Sequence, residues 1–277
     1  MAALPGRTVR ALAGTALALL ALASAVPAQA AEDCFIVTDL ESGRVLAKQG
    51  LCAARHPPNS TFKVALALMG FDAGLLKSDD RPVLTPPPGP EPQREEARGP
   101  QTPRSWMVNS VVWYSQALVR ELGEERLRAY LKGFAYGNEN MGGVKGQEAP
   151  GANFWLSSSL RLSPREQVDF LRRMLKGELP VSPEAVAGTM RLMALPEQPA
   201  GWQAFGKTGS GFQRLEDGSI DPTRPFGWFV GFAQKQGHTA VFVRYTALDI
   251  ASPEPLGLVA RRQALNALAP VLAAQKP

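Results

Sequence analysis

The chain has 277 residues, with 30 Lys and Arg against 25 Asp and Glu for a formal charge of +5, and is 45% apolar, 8% aromatic and 20% charged. That balance belongs to a folded globular protein and excludes a disordered chain, a collagen-like repeat or a disulfide-dense miniprotein. At roughly 150 residues per domain, the length suits one large or two small domains.

Residues 1 to 30 read as a secretory signal. Arg7 and Arg10 precede the apolar run Ala11 to Val26, and Ala28-Gln29-Ala30 supplies small residues at the −3 and −1 positions. Gly14, Ser24 and Pro27 interrupt the run, which makes it weak as a permanent span of ~20 strongly apolar residues. Cleavage leaves residues 31 to 277 and removes two of the net positive charges, since the segment holds two Arg and no acid. No small-residue lipobox precedes Cys34, so the expectation is a soluble protein, periplasmic or secreted, with no stable membrane span after cleavage. No cluster of Lys and Arg interleaves with aromatics, which argues against a nucleic-acid partner.

Cys34 and Cys52, the two cysteines, flank Phe35-Ile36-Val37 and Arg44-Val45-Leu46, two short strands around the turn Glu41-Ser42-Gly43. A hairpin brings its ends together, and in an oxidising compartment the pair is expected to form a disulfide, worth ~3 kcal/mol for a loop of this size. Asn59 is placed to cap a helix whose first turn is Ser60-Thr61-Phe62-Lys63; its body, Val64 to Met69, is apolar on nearly every side, the pattern of a buried helix. Arg81 to Pro103 holds eight prolines among Glu91, Arg94, Glu95, Glu96 and Arg98 and reads as a solvated, extended loop. Ser110 to Leu122, closed by Gly123, and Glu124 to Lys132, closed by Gly133, read as consecutive helices. Ser163-Pro164-Arg165-Glu166 is a capping box that opens a helix through Leu175.

Beyond Trp202 the pattern changes to short apolar runs: strands at Gln203 to Gly206, Phe226 to Ala233 and Thr239 to Leu248, the last two joined at Lys235-Gln236-Gly237, then a helix from Ala260 to Ala274. Strands at both ends around a helical middle, with no repeat and no parting linker, predict an α+β fold. It is an antiparallel sheet built from both chain ends, flanked by helices, with an inserted helical subdomain, so that residues 31 to 277 form a single catalytic domain.

The chemistry is limited by supply. There are only two histidines, His56 before Pro57-Pro58 and His238 on the last hairpin turn, so a Ser-His-Asp triad is not expected. Neither a zinc ligand cluster nor a glycine-rich phosphate loop is present in the sequence. What remains is a nucleophile that needs no histidine. Ser60 and Lys63 are three residues apart and share one helix face; a lysine buried among apolar groups is driven neutral and can serve as base to the serine. Ser-x-x-Lys alone also fits a helix cap beside a surface lysine. Three further segments add to it: Ser110-Val111-Val112, offering a second hydroxyl for proton relay; Tyr136-Gly137-Asn138; and Lys207-Thr208-Gly209, offering a cation and hydroxyl to a carboxylate, followed by the backbone N–H of Ser210.

In order and spacing these four segments resemble the motifs of the class D β-lactamases, the oxacillinase type of penicillin-recognising serine enzyme. Ser105-Trp106-Met107, Val112 to Gln116, Trp155 to Leu160 and Gly227 to Gly231 resemble the same family, so that the likeness runs from Cys34 to Leu268. The resemblance implies hydrolysis of the β-lactam ring through an acyl-enzyme, a route to antibiotic resistance. It implies Ser60 as the acylated nucleophile, Lys63 carboxylated by carbon dioxide as general base, Trp155 donating to that carbamate, and Ser110 relaying a proton to the lactam nitrogen. Lys207 and Thr208, with Gly209, would hold the substrate carboxylate; Ser60 and Ser210 N–H would form the oxyanion hole, and Val112 and Leu156 an apolar pair controlling the deacylating water. The implied partner is a small-molecule β-lactam; no other cofactor and no metal is implied, and the chain is expected as monomer or homodimer. The alternative is a penicillin sensor or a cell-wall transpeptidase or carboxypeptidase that β-lactams acylate. Two departures stand out. Pro255-Leu256-Gly257-Leu258 lacks the arginine that many members use for the substrate carboxylate, leaving Arg244, Arg261 or Arg262 as substitutes, and the Pro-rich segment lacks the family's aromatics.

Overall fold

A computed structural model describes residues 1–3, 33–144 and 153–275. The chain divides into two units, Met1–Ala30 and Ala31–Pro277; the expected signal lies, apart from its first three residues, outside the described residues, and the following concerns the second unit. Strands β1 (Asp33–Asp39) and β2 (Val45–Gly50) open it. Helices α1 (Phe62–Asp72), α2 (Pro103–Asn109), α3 (Val112–Phe134), α4 (Pro164–Leu175) and α5 (Pro183–Met193) follow. Strands β3 (Gln203–Arg214), β4 (Ile220–Lys235) and β5 (His238–Ala247) and helix α6 (Leu256–Ala273) close it.

The five strands form one antiparallel sheet in the order β2-β1-β5-β4-β3. The last strand pairs with the first, so both chain ends build the sheet and the five helices α1 to α5 are an insertion between β2 and β3, as the alternation of elements predicts. Successive side chains of a strand point to opposite faces, and here both faces are covered. Phe35, Val37, Phe229 and Phe242 pack on Ala260, Ala264, Leu268 and Leu272 of α6, while Ile36, Trp228, Val230, Val241, Val243 and Tyr245 join the larger core with α1, α3 and α4. Burial of both faces explains why the strands read as near-continuous apolar runs. Cys34 and Cys52 are bonded, with Cα atoms 5.2 Å apart, closing the first hairpin as expected.

Helix α1 is the centre of the larger core, with Phe62 through Gly70 all buried. It does not begin on an Asn59 cap: a single 3-10 turn, Asn59–Thr61, leads into it, and no side chain caps either element. Ser110 does not open a helix; it ends α2 in the left-handed conformation (φ 58°), and α3 starts at Val112. Gly123 breaks α3 at φ 75° as its sequence position suggests, but Gly133 stays helical, its missing Cβ leaving room for Pro180, which a Cβ would meet at 2.8 Å; the left-handed end falls at Ala135. α2 and α5 have no counterpart among the predicted elements. β3 runs past Gly206, so Lys207-Thr208-Gly209 lies inside a strand instead of following one. No helix among the described residues is long and apolar enough to cross a membrane.

Candidate active site

The site lies where the outer strand of the sheet meets the start of α1. Trp228 of β4 donates its indole N–H to Pro57 O at 2.9 Å, fixing the approach to Ser60 from the sheet. Thr61 Oγ1 donates to Pro58 O at 2.8 Å and accepts from Gln167 Nε2 of α4 at 3.0 Å, fixing it from the other side. β3 then runs against this turn: a Cβ on Gly209 would lie 2.8 Å from Pro58 O and 3.2 Å from Thr61 N. Glycine at 209 is therefore what lets strand and nucleophile turn touch. Ser60 itself is half-buried at the surface of the turn.

Lys63 is 1% exposed. Its Nζ has no hydrogen-bond partner, and the amine is held well below the usual lysine range by burial first, then by the charges of Lys207 and Arg94. Burying an ion without a counter-charge is so costly that a group gives up its charge instead. Burial thus weakens the hold of Lys63 on its proton and favours the neutral amine, on α1 one turn from Ser60.

Lys207, 4% exposed, donates to Ser110 Oγ at 3.1 Å, Thr208 O at 3.0 Å and Thr208 Oγ1 at 3.4 Å. Burial, followed by Arg94 and Arg261, pushes it down to about 7. The structure thus brings Ser110, Lys207 and Thr208 into one cluster whose neighbouring charges are positive, a field that draws anions. Ser210 Oγ accepts from Gly257 N at 2.9 Å, and Ser210 O accepts from Asn59 Nδ2 at 2.7 Å. The N–H and C=O of a strand residue project from the same edge, so Ser210 N–H also leaves β3 on the side of Asn59 and Ser60.

Trp155 is 1% exposed and stacks on Phe62 of α1 with centroids 5.4 Å apart; Phe154 and Tyr136 enclose the same ring at 5.4 and 5.8 Å. Val112 and Leu156 are both half-buried, at the start of α3 and next to Trp155. Tyr136-Gly137-Asn138 acts as a scaffold. Asn138 Nδ2 donates to Ser159 O at 2.8 Å and its Oδ1 accepts from Arg161 N at 2.9 Å, which holds the turn that carries Trp155. Gly137 sits at φ +60°, and a Cβ there would lie 2.2 Å from Arg161 O.

The arginine substitutes are engaged elsewhere: Arg244 with Asp33 and Gln263, Arg262 with Glu254, Arg261 with Glu197. Of these, only Arg261 adds its charge at Lys207. Position 257 could not hold a side chain, since its Cβ would lie 2.5 Å from Gly209 O. The cation that the sequence reading missed is Arg94. The Pro-rich segment carrying it is not a wholly solvated loop: Ala97 and Gln101 are buried, and Trp113 Nε1 donates to Ala97 O at 2.8 Å and Asn109 Nδ2 to Glu96 O at 3.3 Å. Those bonds flank Ser110, which is how Arg94 comes to act on both site lysines. His56 is buried and stacked on Tyr245 with centroids 3.9 Å apart; burial and Arg161 hold it down to about 4, a packing role. His238 is exposed on its turn.

A buried amine without a counter-ion one turn from a serine, facing Lys-Thr-Gly on a strand edge, is the arrangement of the penicillin-recognising serine enzymes. The family model of the penicillin binding protein transpeptidase domain matches residues 14–252. The OXA-9 β-lactamase of Klebsiella pneumoniae is 41% identical over 247 residues, 88% of this chain and 89% of that one. The chain is a class D β-lactamase. The OXA-1 β-lactamase of Escherichia coli is 35% identical over 240 residues, 86% of this chain and 84% of that one. The crystal structure of the OXA-427 class D β-lactamase superposes with a TM-score of 0.81 at 40% identity, covering 87% of this chain and 98% of that one. As a class D β-lactamase the protein hydrolyses β-lactams.

The scaffold role of Gly137 makes it a sensitive position behind the site. Gly137→Ala combines a left-handed backbone with a backbone clash, and we expect the β-lactamase to lose about 2–3 kcal/mol in urea unfolding; unchanged stability would show that the turn is not held by this contact.

Proposed function

We propose that Ser60 is the acylated nucleophile of this class D β-lactamase. Its Oγ attacks the lactam carbonyl carbon, the C–N bond breaks, and the nitrogen takes a proton through the Ser110 hydroxyl, which the Lys207 ammonium faces at 3.1 Å. Water then cleaves the ester at Ser60 and releases the ring-opened acid. Lys63 takes the proton of the attacking hydroxyl and later that of the water. Ser60 and Ser210 N–H receive the developing oxyanion, and Lys207 with Thr208 and Gly209 receives the substrate carboxylate, helped by the charges of Arg94 and Arg261.

The single observation that carries this reading is the buried, unpaired Nζ of Lys63. Only a neutral amine adds carbon dioxide, and the cationic neighbours Lys207 and Arg94 suit the anion that results, so the residues fit a carboxylated Lys63. When formed, the carbamate supplies a general base anchored next to Ser60, with Trp155 as its indole donor and Val112 and Leu156 as the apolar walls beside it. We also propose that residues 1 to 30 direct export to the periplasm or the medium and that residues 31 to 277 are one catalytic domain; the disulfide fits an oxidising compartment.

Intact mass after mixing with excess penicillin tests the assignment. Ser60→Ala is expected to carry no adduct and to lose at least about 10³-fold in turnover of a chromogenic cephalosporin, and Lys63→Ala to accumulate the adduct that the unaltered protein clears. Activity lost in acid should return with bicarbonate. Full turnover by Ser60→Ala would refute the reading, and a persistent adduct on the unaltered protein would favour a sensor or transpeptidase. A second prediction concerns pH. Lys207 is charged below about 7 and loses its proton above it, so kcat/KM is expected to fall as pH rises through that value. Lys207→Arg stays charged throughout and should flatten this limb; an identical limb in both proteins would assign it to another group.

A further inference from the structure

Asn59, the residue before Ser60, is 4% exposed and stands at φ 46°, where few residues other than glycine rest. Its side chain caps nothing. Instead Oδ1 accepts from Ser157 N at 2.8 Å, and Nδ2 donates to Ser210 O at 2.7 Å and reaches Ser157 Oγ at 3.4 Å. Only one orientation of the amide serves, because Ser157 N–H can only donate and Ser210 C=O can only accept. The backbone N–H of Asn59 donates to Trp155 O at 3.0 Å. One residue thus joins the turn carrying Trp155, the nucleophile and the outer edge of β3. Room is made for it: a Cβ on Gly211 would lie 2.2 Å from Asn59 Nδ2 and 2.7 Å from Ser157 Oγ.

We propose that Asn59 is the positioning residue of the oxyanion hole: its left-handed backbone aims Ser60 N–H, and its amide holds Ser210 so that Ser210 N–H converges on the same point. This deepens the proposed function and rests on Ser60 and Ser210 N–H being the oxyanion donors. Such donors help only when they are fixed where charge develops, and losing one costs about 10²–10³ in kcat. β3 ends the sheet, and among the described residues no further strand pairs along its free edge beside Ser60. The Asn59 amide holds that edge beside Ser60 by the carbonyl of the very residue whose N–H is needed.

Three variants test this. Asn59→Gly allows the backbone conformation and removes the amide; Asn59→Asp keeps the acceptor for Ser157 N–H but sets a carboxylate oxygen against the Ser210 carbonyl. Gly211→Ala displaces the amide without altering Asn59. Each is expected to lower kcat for a chromogenic cephalosporin by about 10- to 100-fold, Asn59→Asp most. Affinity for an arylboronic acid, whose tetrahedral adduct on Ser60 presents an oxygen to the hole, should fall by a matching factor. If Asn59→Gly and Asn59→Asp only lower the melting temperature, while kcat per folded molecule and boronate affinity stay within about threefold, Asn59 is structural and the inference is overturned. Peptide mapping of the penicillin adduct separates the two levels. An adduct at a residue other than Ser60 overturns the proposed site and the inference with it; an adduct on Ser60 with unchanged boronate affinity in the variants overturns the inference alone.

Discussion

The structure turns on one uncompensated burial, that of the Lys63 amine. Its helix is buried from Phe62 to Gly70, no acceptor reaches Nζ, and the charges felt there, those of Lys207 and Arg94, repel a proton. In water this would be a solvated cation; here burial shifts the balance toward the uncharged amine, which could act as a base next to the proposed nucleophile. An apolar α1 is what makes this affordable in one direction only: the helix contributes its hydrophobic burial whatever the lysine does, while the lysine cannot keep its charge without losing its hydration. Sheet, α4 and the aromatic group of Phe62, Phe154, Trp155 and Tyr136 all serve to keep that helix dry.

A second constraint is the sheet edge. Edge strands expose unpaired N–H and C=O groups and are normally blunted or covered. β3 is instead kept open opposite Ser60, and its edge groups are used: Thr208 O by Lys207, Ser210 O by Asn59, Ala204 O by Leu195 N. Glycines at 209, 211 and 257 remove the side chains that would hold α1, β3 and α6 apart. That packing also excludes an arginine at 257, because the close approach of α6 to β3 leaves no space for a side chain there, and positive charge at Lys207 comes from Arg94 and Arg261 instead.

Much of this was legible in the sequence. The first hairpin and its disulfide, the all-round apolar α1, the capping box of α4 and the β4–β5 hairpin each rest on a local signal strong enough to survive folding, and the sheet built from both chain ends follows from their order. Residue type and spacing singled out Ser60, Lys63, Ser110 and Lys207 as candidates, and the structure buries Lys63 and brings Lys207 to Ser110. What was not legible is conformational or long-range. Ser110 carries no mark that it ends α2 in a left-handed turn, and α2 is a seven-residue helix at the margin of a proline-rich stretch. α5, by contrast, starts on Ser182-Pro183-Glu184, the same kind of signal as α4, and its buried residues fall on one face, so this helix was marked locally. Asn59 looks like a helix cap from its neighbours alone; only the return of β3, some 150 residues later in the chain, gives its amide another partner. The docking of the proline-rich segment likewise depends on Trp113 and Asn109, which nothing in its own composition announces.

The ionisation of Lys63 is the most direct measurement of the account. Lysine side-chain nitrogens labelled with ¹⁵N can be titrated by NMR in buffer free of carbon dioxide, with Lys63→Ala identifying the resonance that belongs to position 63. The account predicts that this resonance is already that of a neutral amine at pH 7 and titrates well below the usual lysine value of about 10.4. A Lys63 resonance that stays protonated through neutral pH and titrates with the surface lysines would contradict it.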